Sequence, residues 1–209
     1  MGTYLFDFDG TLVDSMDAYG SMMLRILDEN NISYPQDILK IITPLGYSGT
    51  ADYFIKMGIS KTKKELMDKM TEYATYNYHN KIVAKDNVPE VLKELKSRGH
   101  SLNVLTASPH SMLDPCLKRN EIFDLFDNVW SCEDFATTKS DPEIYKMAAK
   151  KMGVDVSEVI FLDDNLDADT TAKKAGAIVY GVYDKSSHEY QDKMKEITDK
   201  YIYNFKELL

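Results

Sequence analysis

The sequence predicts an α/β protein: a doubly wound parallel sheet covered by helices on both faces, with a small all-helical domain inserted after the first strand. Three observations carry this. From residue 83 onward, short apolar runs alternate with amphipathic helical patterns, which indicates a parallel sheet between two helical layers. From Ser15 to Lys81 the periodicity is helical and no strand signal interrupts it. The apolar run Tyr4-Leu5-Phe6 stands before that insert and closes on Asp7-Phe8-Asp9-Gly10-Thr11. The expected domains are 1–14 with 83–209 for the α/β core, and 15–82 for the insert.

In chain order, Tyr19, Met22, Met23, Ile26 and Leu27 recur at helical spacing, with Asp14 or Ser15 as cap and Asn30-Asn31 as stop. Pro35 opens a short helix through Ile41-Ile42. The stretch 44–49 is a loop by composition, and a helix follows from Asp52 to Met57. Leu66, Met70, Tyr73 and Asn77, with Met67, Ala74 and Tyr78 beside them, mark one long helix. In the core, Pro89 opens a helix that Gly99 closes. Ser101 to Leu105 is a strand ending in Thr106-Ala107-Ser108, and Pro109 opens the next helix. Asn128-Val129-Trp130 is a short strand. Asp141-Pro142 opens a helix ended by Gly153. Val159 to Leu162 is a strand ending in Asp163-Asp164, followed by a helix that closes at Gly176. Ala177 to Val182 is a fifth strand, and a polar helix and a short aromatic tail finish the chain.

Composition narrows the function. The chain has 209 residues, 44% hydrophobic and 28% charged, with a formal net charge of -9. That balance, with no concentrated basic patch, argues against nucleic acid as a partner. Lys61, Lys63 and Lys64 are followed by Glu65, Asp68 and Glu72 and read as a solvated face. No apolar run approaches a membrane span, and the N-terminus lacks the basic and apolar regions of a secretory signal. The two cysteines, Cys116 and Cys132, suggest a reducing compartment and buried packing. The expectation is a cytoplasmic protein, a monomer or weak homodimer. An anionic substrate would need local positive charge at its site.

The chemistry begins at Asp7 and Asp9. A strand of alternating side chains turns them to one side. There they can share a hard cation, because magnesium takes oxygen ligands and needs only one or two carboxylates. An aspartate so placed can also act as a nucleophile. Gly10 permits a sharp turn, and Thr11 offers a hydroxyl beside the pair. Asp-x-Asp-Gly also reads as a plain turn. A calcium loop is excluded, because the twelfth position from Asp7 is Ala18 rather than glutamate. Thr106, Lys139 and the Asp163-Asp164 pair each have a bland reading too: a helix cap, a solvated loop lysine, an exposed turn. Open parallel sheets form their sites outside the carboxyl ends of the strands, and the joint occurrence of these groups there favours one shared site.

The run Asp7 to Ser15 resembles the first motif of the haloacid dehalogenase-like hydrolases, in the branch that includes phosphoglycolate phosphatases and β-phosphoglucomutases. The resemblance covers nearly the whole chain. Thr106 matches the second motif, with the N–H of Ala107 as a phosphate donor. Lys139, ahead of Asp141-Pro142-Glu143-Ile144-Tyr145, matches the third, although Ser140 stands where many relatives have proline. Asp163-Asp164-Asn165 matches the acidic-pair form of the fourth. Many relatives carry a further acid or amide where this chain has Ala168, and Asp167 and Asp169 flank that position.

The resemblance implies a Rossmann-like core, a helical cap and a magnesium-dependent phosphatase of small phosphate esters. Asp7 would be the nucleophile, Asp9 the acid–base, and Thr106, Ala107 and Lys139 the phosphate holders. Asp7, Asp163, Asp164 and the carbonyl of Asp9 would be the metal ligands. Tyr19, Gly46, Tyr47 and Ser48 are candidates for facing the site from the cap, and His110 for bordering the pocket.

Other readings stay open. A phosphomutase would carry a histidine in the first cap helix, where 16–27 has none. A dehalogenase would lack Asp9. A phosphonate hydrolase would need a cap lysine forming a Schiff base, and nothing singles one out among Lys56, Lys61, Lys63 and Lys64. A catalytically silent phosphate-ester binder would keep the same site.

Overall fold

The computed structural model describes residues 1–43 and 45–209. By internal packing they divide into Met1–Asp14 with Ile82–Leu209, and Ser15–Lys81.

Strand β1 (Thr3–Phe6) turns Leu5 to one face of the sheet and Tyr4 and Phe6 to the other. On the second face the Phe6 ring stacks on Tyr4 (5.8 Å) and on Phe205 (6.1 Å).

The inserted unit contains helices α1 (Met16–Glu29), α2 (Ile38–Ile42), α3 (Gly46–Lys56) and α4 (Lys63–Asn80). Met22, Met23, Ile26 and Leu27 of α1 and Leu66, Met70, Tyr73 and Ala74 of α4 are buried, as a 3.6-residue period requires. Thr62 and Glu65 form a reciprocal capping box at the start of α4. Tyr73 donates to Glu29 at 2.6 Å and carries the Arg25 guanidinium 4.0 Å above its ring, which ties α4 to α1.

Two expectations change in this unit. Ser15 stands at the N-cap of α1, but its hydroxyl makes no capping bond. The expected loop is helical from Gly46 onward, while Pro44 lies outside the described residues. The glycines there suggest a turn by propensity. Burial of Thr50, Ala51 and Phe54 outweighs that preference, and Thr50 Oγ1 donates to the Ile42 carbonyl at 3.1 Å.

The core continues with α5 (Val88–Ser97), β2 (Ser101–Thr106), α6 (His110–Arg119), β3 (Asn128–Ser131), α7 (Glu143–Met152) and β4 (Val159–Asp163). It closes with α8 (Leu166–Ala175), β5 (Ile178–Val182), α9 (Gln191–Ile197) and β6 (Lys200–Ile202). Among the described residues the sheet has six parallel strands in the order β3-β2-β1-β4-β5-β6. This is the doubly wound arrangement, with a sixth strand where the sequence suggests only a tail. Three residues are too few to display an alternation, and pairing of Gly181 with Tyr201 sets their register. Leu5, Leu105, Phe161 and Val179 pack under Ile144, Tyr145, Ala148, Ala172 and Ala175 of α7 and α8. Strand order reverses between β1 and β4, and such a switch point opens a crevice at the carboxyl ends of the strands.

Among the described residues, no helix is long and apolar enough to cross a membrane. Cys116 and Cys132 are free and buried, and burial pushes the Cys116 thiol up to about 11.

Candidate active site

The switch point holds the acids. Phe6 pairs with Leu162, and the Asp7 N–H donates to the Leu162 carbonyl at 2.8 Å, so Asp7 lies level with Asp163 on the neighbouring strand. Parallel neighbours in register turn their side chains the same way, a few ångströms apart. Two like charges so placed repel. Lys139 answers the repulsion: its Nζ lies 2.5 Å from Asp7 Oδ1 and 2.7 Å from Asp163 Oδ2. Tyr145 steadies the lysine loop by donating to the Lys139 carbonyl at 3.1 Å. Its ring is fixed edge-on to Phe161 at 5.0 Å.

Asp164 completes the group. One carboxylate oxygen from each of Asp7, Asp163 and Asp164 lies within 4.8 Å of the others, and all three residues are buried. Burial, and then the charge of Asp163, push the Asp7 carboxyl well above the usual carboxylate range, against the pull of Lys139. Burial and Asp163 also raise Asp164, to about 7. Burial works to lower the Lys139 ammonium, but Asp163 and Asp7 outweigh it and hold the group strongly protonated. Three buried carboxylates, two of them bridged by one lysine, form an all-oxygen set with negative charge in excess. Such a set suits a hard divalent cation.

Asp9 takes a separate place. The strand ends at Phe6, and the Asp9 carboxylate accepts from Ser108 Oγ at 2.5 Å, outside the three-acid group. Thr106 is buried at the end of β2, and its Oγ1 accepts from the Ser108 N–H at 3.0 Å. The hydroxyl hydrogen of Thr106 is thereby left to donate elsewhere, and Ser108 links Thr106 to Asp9. Ala107 stands between them.

Gly10 and Thr11 take the places the sequence suggests for them, whereas Lys85 and Asp184 escape it. Gly10 has φ +73°, and a Cβ there would lie 2.5 Å from Asp164 Oδ2. Glycine is thus required both by the turn and by the close carboxylate. Thr11 Oγ1 donates to Asp164 Oδ1 at 2.9 Å. Lys85 Nζ reaches the Gly10 carbonyl (2.5 Å), the Tyr183 carbonyl (2.9 Å) and Asp184 Oδ2 (2.9 Å), which fastens the Gly10 turn to the end of β5. A second hydroxyl at Ser108 was visible in Thr106-Ala107-Ser108. Nothing local marks Lys85 or Asp184.

His110 serves the scaffold. Its Nδ1 lies 2.8 Å from Asp114 and its Nε2 2.8 Å from Asp134, which ties α6 to the turn after β3. Hydrogen bonds to Asp114 and Asp134 raise its pKa. A raised histidine stabilises the fold fully below its unfolded value of about 6.5, and the gain fades as pH climbs through the folded value. Asp134 is pulled down by His110 and the Ser131 N–H, against a rise from burial, so its share is lost only in acid. His110→Gln is expected to lower Tm most near pH 5–6 and very little above pH 8. A deficit that does not change with pH would contradict this. The pair is about a third exposed, so the effect is modest.

Within the inserted unit, Tyr19 and Tyr47 stack on each other at 6.2 Å.

A doubly wound sheet with this acid group at its switch point is an arrangement that could hold a divalent cation. The chain belongs to the haloacid dehalogenase-like hydrolase family, whose model matches residues 4–182. It is accordingly an enzyme of that family. Pyrophosphatase PpaX of Bacillus velezensis is 31% identical to it over 179 residues, covering 85% of this chain and 81% of the relative. A predicted phosphoglycolate phosphatase from Haemophilus somnus has a similar fold, with TM-score 0.83 at 22% identity over 100% of this chain and 96% of that one. A family hydrolase from Deinococcus radiodurans, solved with bound phosphate and sodium, gives TM-score 0.81 at 17% identity over 100% and 93%.

Proposed function

We propose that the chain is a magnesium-dependent phosphatase of small phosphorylated metabolites that works through an aspartyl-phosphate on Asp7. The observation that carries this reading is the buried group of Asp7, Asp163 and Asp164 at the switch point, with Lys139 bridging Asp7 and Asp163. Those three carboxylates, with the carbonyl of Asp9, would hold the ion. Bound there, magnesium supplies the positive charge that offsets repulsion between a carboxylate nucleophile and a phosphate dianion.

The protein's own groups do the rest. Asp7 attacks phosphorus, and the bond to the leaving oxygen breaks as the new bond forms. Asp9, oriented by Ser108, gives its proton to that oxygen and then takes one from the water that attacks the aspartyl-phosphate. Lys139, the Thr106 hydroxyl and the Ala107 N–H hold the phosphate oxygens as charge develops. The inserted helical unit would act as a cap that excludes water and selects the leaving group, with Tyr19, Gly46, Tyr47 and Ser48 as candidates for that choice.

Phosphoglycolate and sugar phosphates fit the site's chemistry. A second substrate, inorganic pyrophosphate, is favoured by the 31% identical relative named as a pyrophosphatase. A mutase is disfavoured because α1 contains no histidine. The test is phosphate release from a panel of phosphate monoesters and pyrophosphate, with and without magnesium. Magnesium-dependent release from a few of them is expected. No release from any substrate in either condition would overturn the reading.

A further inference from the structure

Helix α8 turns Ala168, Asp169, Ala172 and Ala175 inward. Three of these are small apolar residues packed in the core, and the fourth is an acid. Asp169 is 0% exposed, and neither of its carboxylate oxygens has a hydrogen-bond partner. A second polar atom is stranded in the same region: the Tyr201 hydroxyl is buried and also without a partner. Interior polar groups left this way are costly, and native proteins usually satisfy them with ordered water.

The sheet explains why the two meet. Gly181 of β5 pairs with Asp163 on one side and with Tyr201 on the other, so the three form one row across the sheet at the level of the acid group. The Tyr201 ring lies over Gly181, where a Cβ would sit 2.7 Å from ring atom Cδ2. The missing side chain thus gives the ring its room. Helix α8 starts directly after Asp164-Asn165 and lays Asp169 over this row. After burial, Asp163 and Asp164 exert the largest influences on the Asp169 carboxyl, and the Tyr201 hydroxyl, raised first by burial and by Tyr203 and Tyr183, also feels Asp164 and Asp169. The stranded atoms therefore border the acid group rather than a separate part of the core.

We infer that Asp169 and Tyr201 form the outer polar layer of the cation site, holding buried water that hydrogen-bonds to the Asp163 and Asp164 carboxylates. Asp169 is a positioning residue in this arrangement: it sets cation affinity without touching the cation. The inference rests on the magnesium reading above. Partners that orient metal ligands from behind typically change metal affinity 10–100-fold when removed. A core acid with no such role would only destabilise the fold.

The test is magnesium binding by the full chain, without substrate, measured by calorimetry beside thermal unfolding of the metal-free protein. Asp169→Leu replaces an unpartnered acid with hydrocarbon, so metal-free Tm is expected to hold or rise while the magnesium Kd weakens about 10-fold or more. Asp169→Asn keeps the shape, and Tyr201→Phe removes only the hydroxyl. Both are expected to weaken binding in the same direction while folding normally. Wild-type binding with a Kd unchanged within about twofold in all three variants would overturn the inference and leave the magnesium reading standing. No magnesium binding by the wild-type chain would overturn both.

Discussion

Asp7→Asn is expected to lower magnesium-dependent phosphate release by about 10⁴-fold or more, the scale seen when an enzyme nucleophile is removed. The fold should survive. Asparagine keeps the volume of the buried side chain and removes one of two like charges held level on β1 and β4. Lys139 keeps Asp163 as its partner at 2.7 Å. The metal-free variant should therefore melt at the wild-type temperature or above it. Loss of activity with a lowered Tm would point to a structural role for Asp7, and near-wild-type turnover would remove it from the mechanism. The two readouts separate chemistry from stability at one position.

Lys139→Ala should fail on both counts. Its ammonium is the cation bonded to Asp7 and Asp163, and all three side chains are well buried. Removing one member of a buried charged group leaves the others uncompensated, at a cost of about 3–5 kcal/mol. That loss should appear in urea unfolding of the metal-free protein at neutral pH. It should shrink as pH falls, because Asp7, whose carboxyl sits well above the usual carboxylate range, can then take up a proton. Magnesium should restore part of it by returning positive charge to the same carboxylates. Turnover should stay low even with magnesium, since the ion does not replace a lysine on the phosphate oxygens. Equal stability of the variant and the wild type without metal would contradict the electrostatic account.

The legible and the hidden parts of this site differ in sequence range. Asp7, Thr106 and Asp163-Asp164 each follow an apolar run, and a parallel sheet brings such strand ends together without further information. Lys85 was hidden because its partners Gly10 and Asp184 lie 75 and 99 residues away, and a lysine in a polar linker looks like any solvated lysine. Strand alternation places Asp9 on the same face as Asp7, whereas the chain turns at Gly10 and Ser108 takes the carboxylate. Asp167 and Asp169 looked interchangeable around Ala168. The helical period distinguishes them: Asp169 falls on the inward arc with Ala172, and Asp167 faces solvent. The first half of α3 reads as a loop because two glycines and a serine outweigh, by local propensity, a packing preference that becomes apparent only once Phe54 is buried.

Reductive trapping at Asp7 tests the central claim most directly. The enzyme would be quenched during turnover of its best substrate, treated with borohydride, digested and read by peptide mass spectrometry. An acyl phosphate is reduced to an alcohol, whereas a free carboxylate is not. Conversion of Asp7 to homoserine, dependent on substrate and absent without it, is the expected result. Turnover that leaves Asp7 unmodified while another carboxylate is reduced would contradict the account.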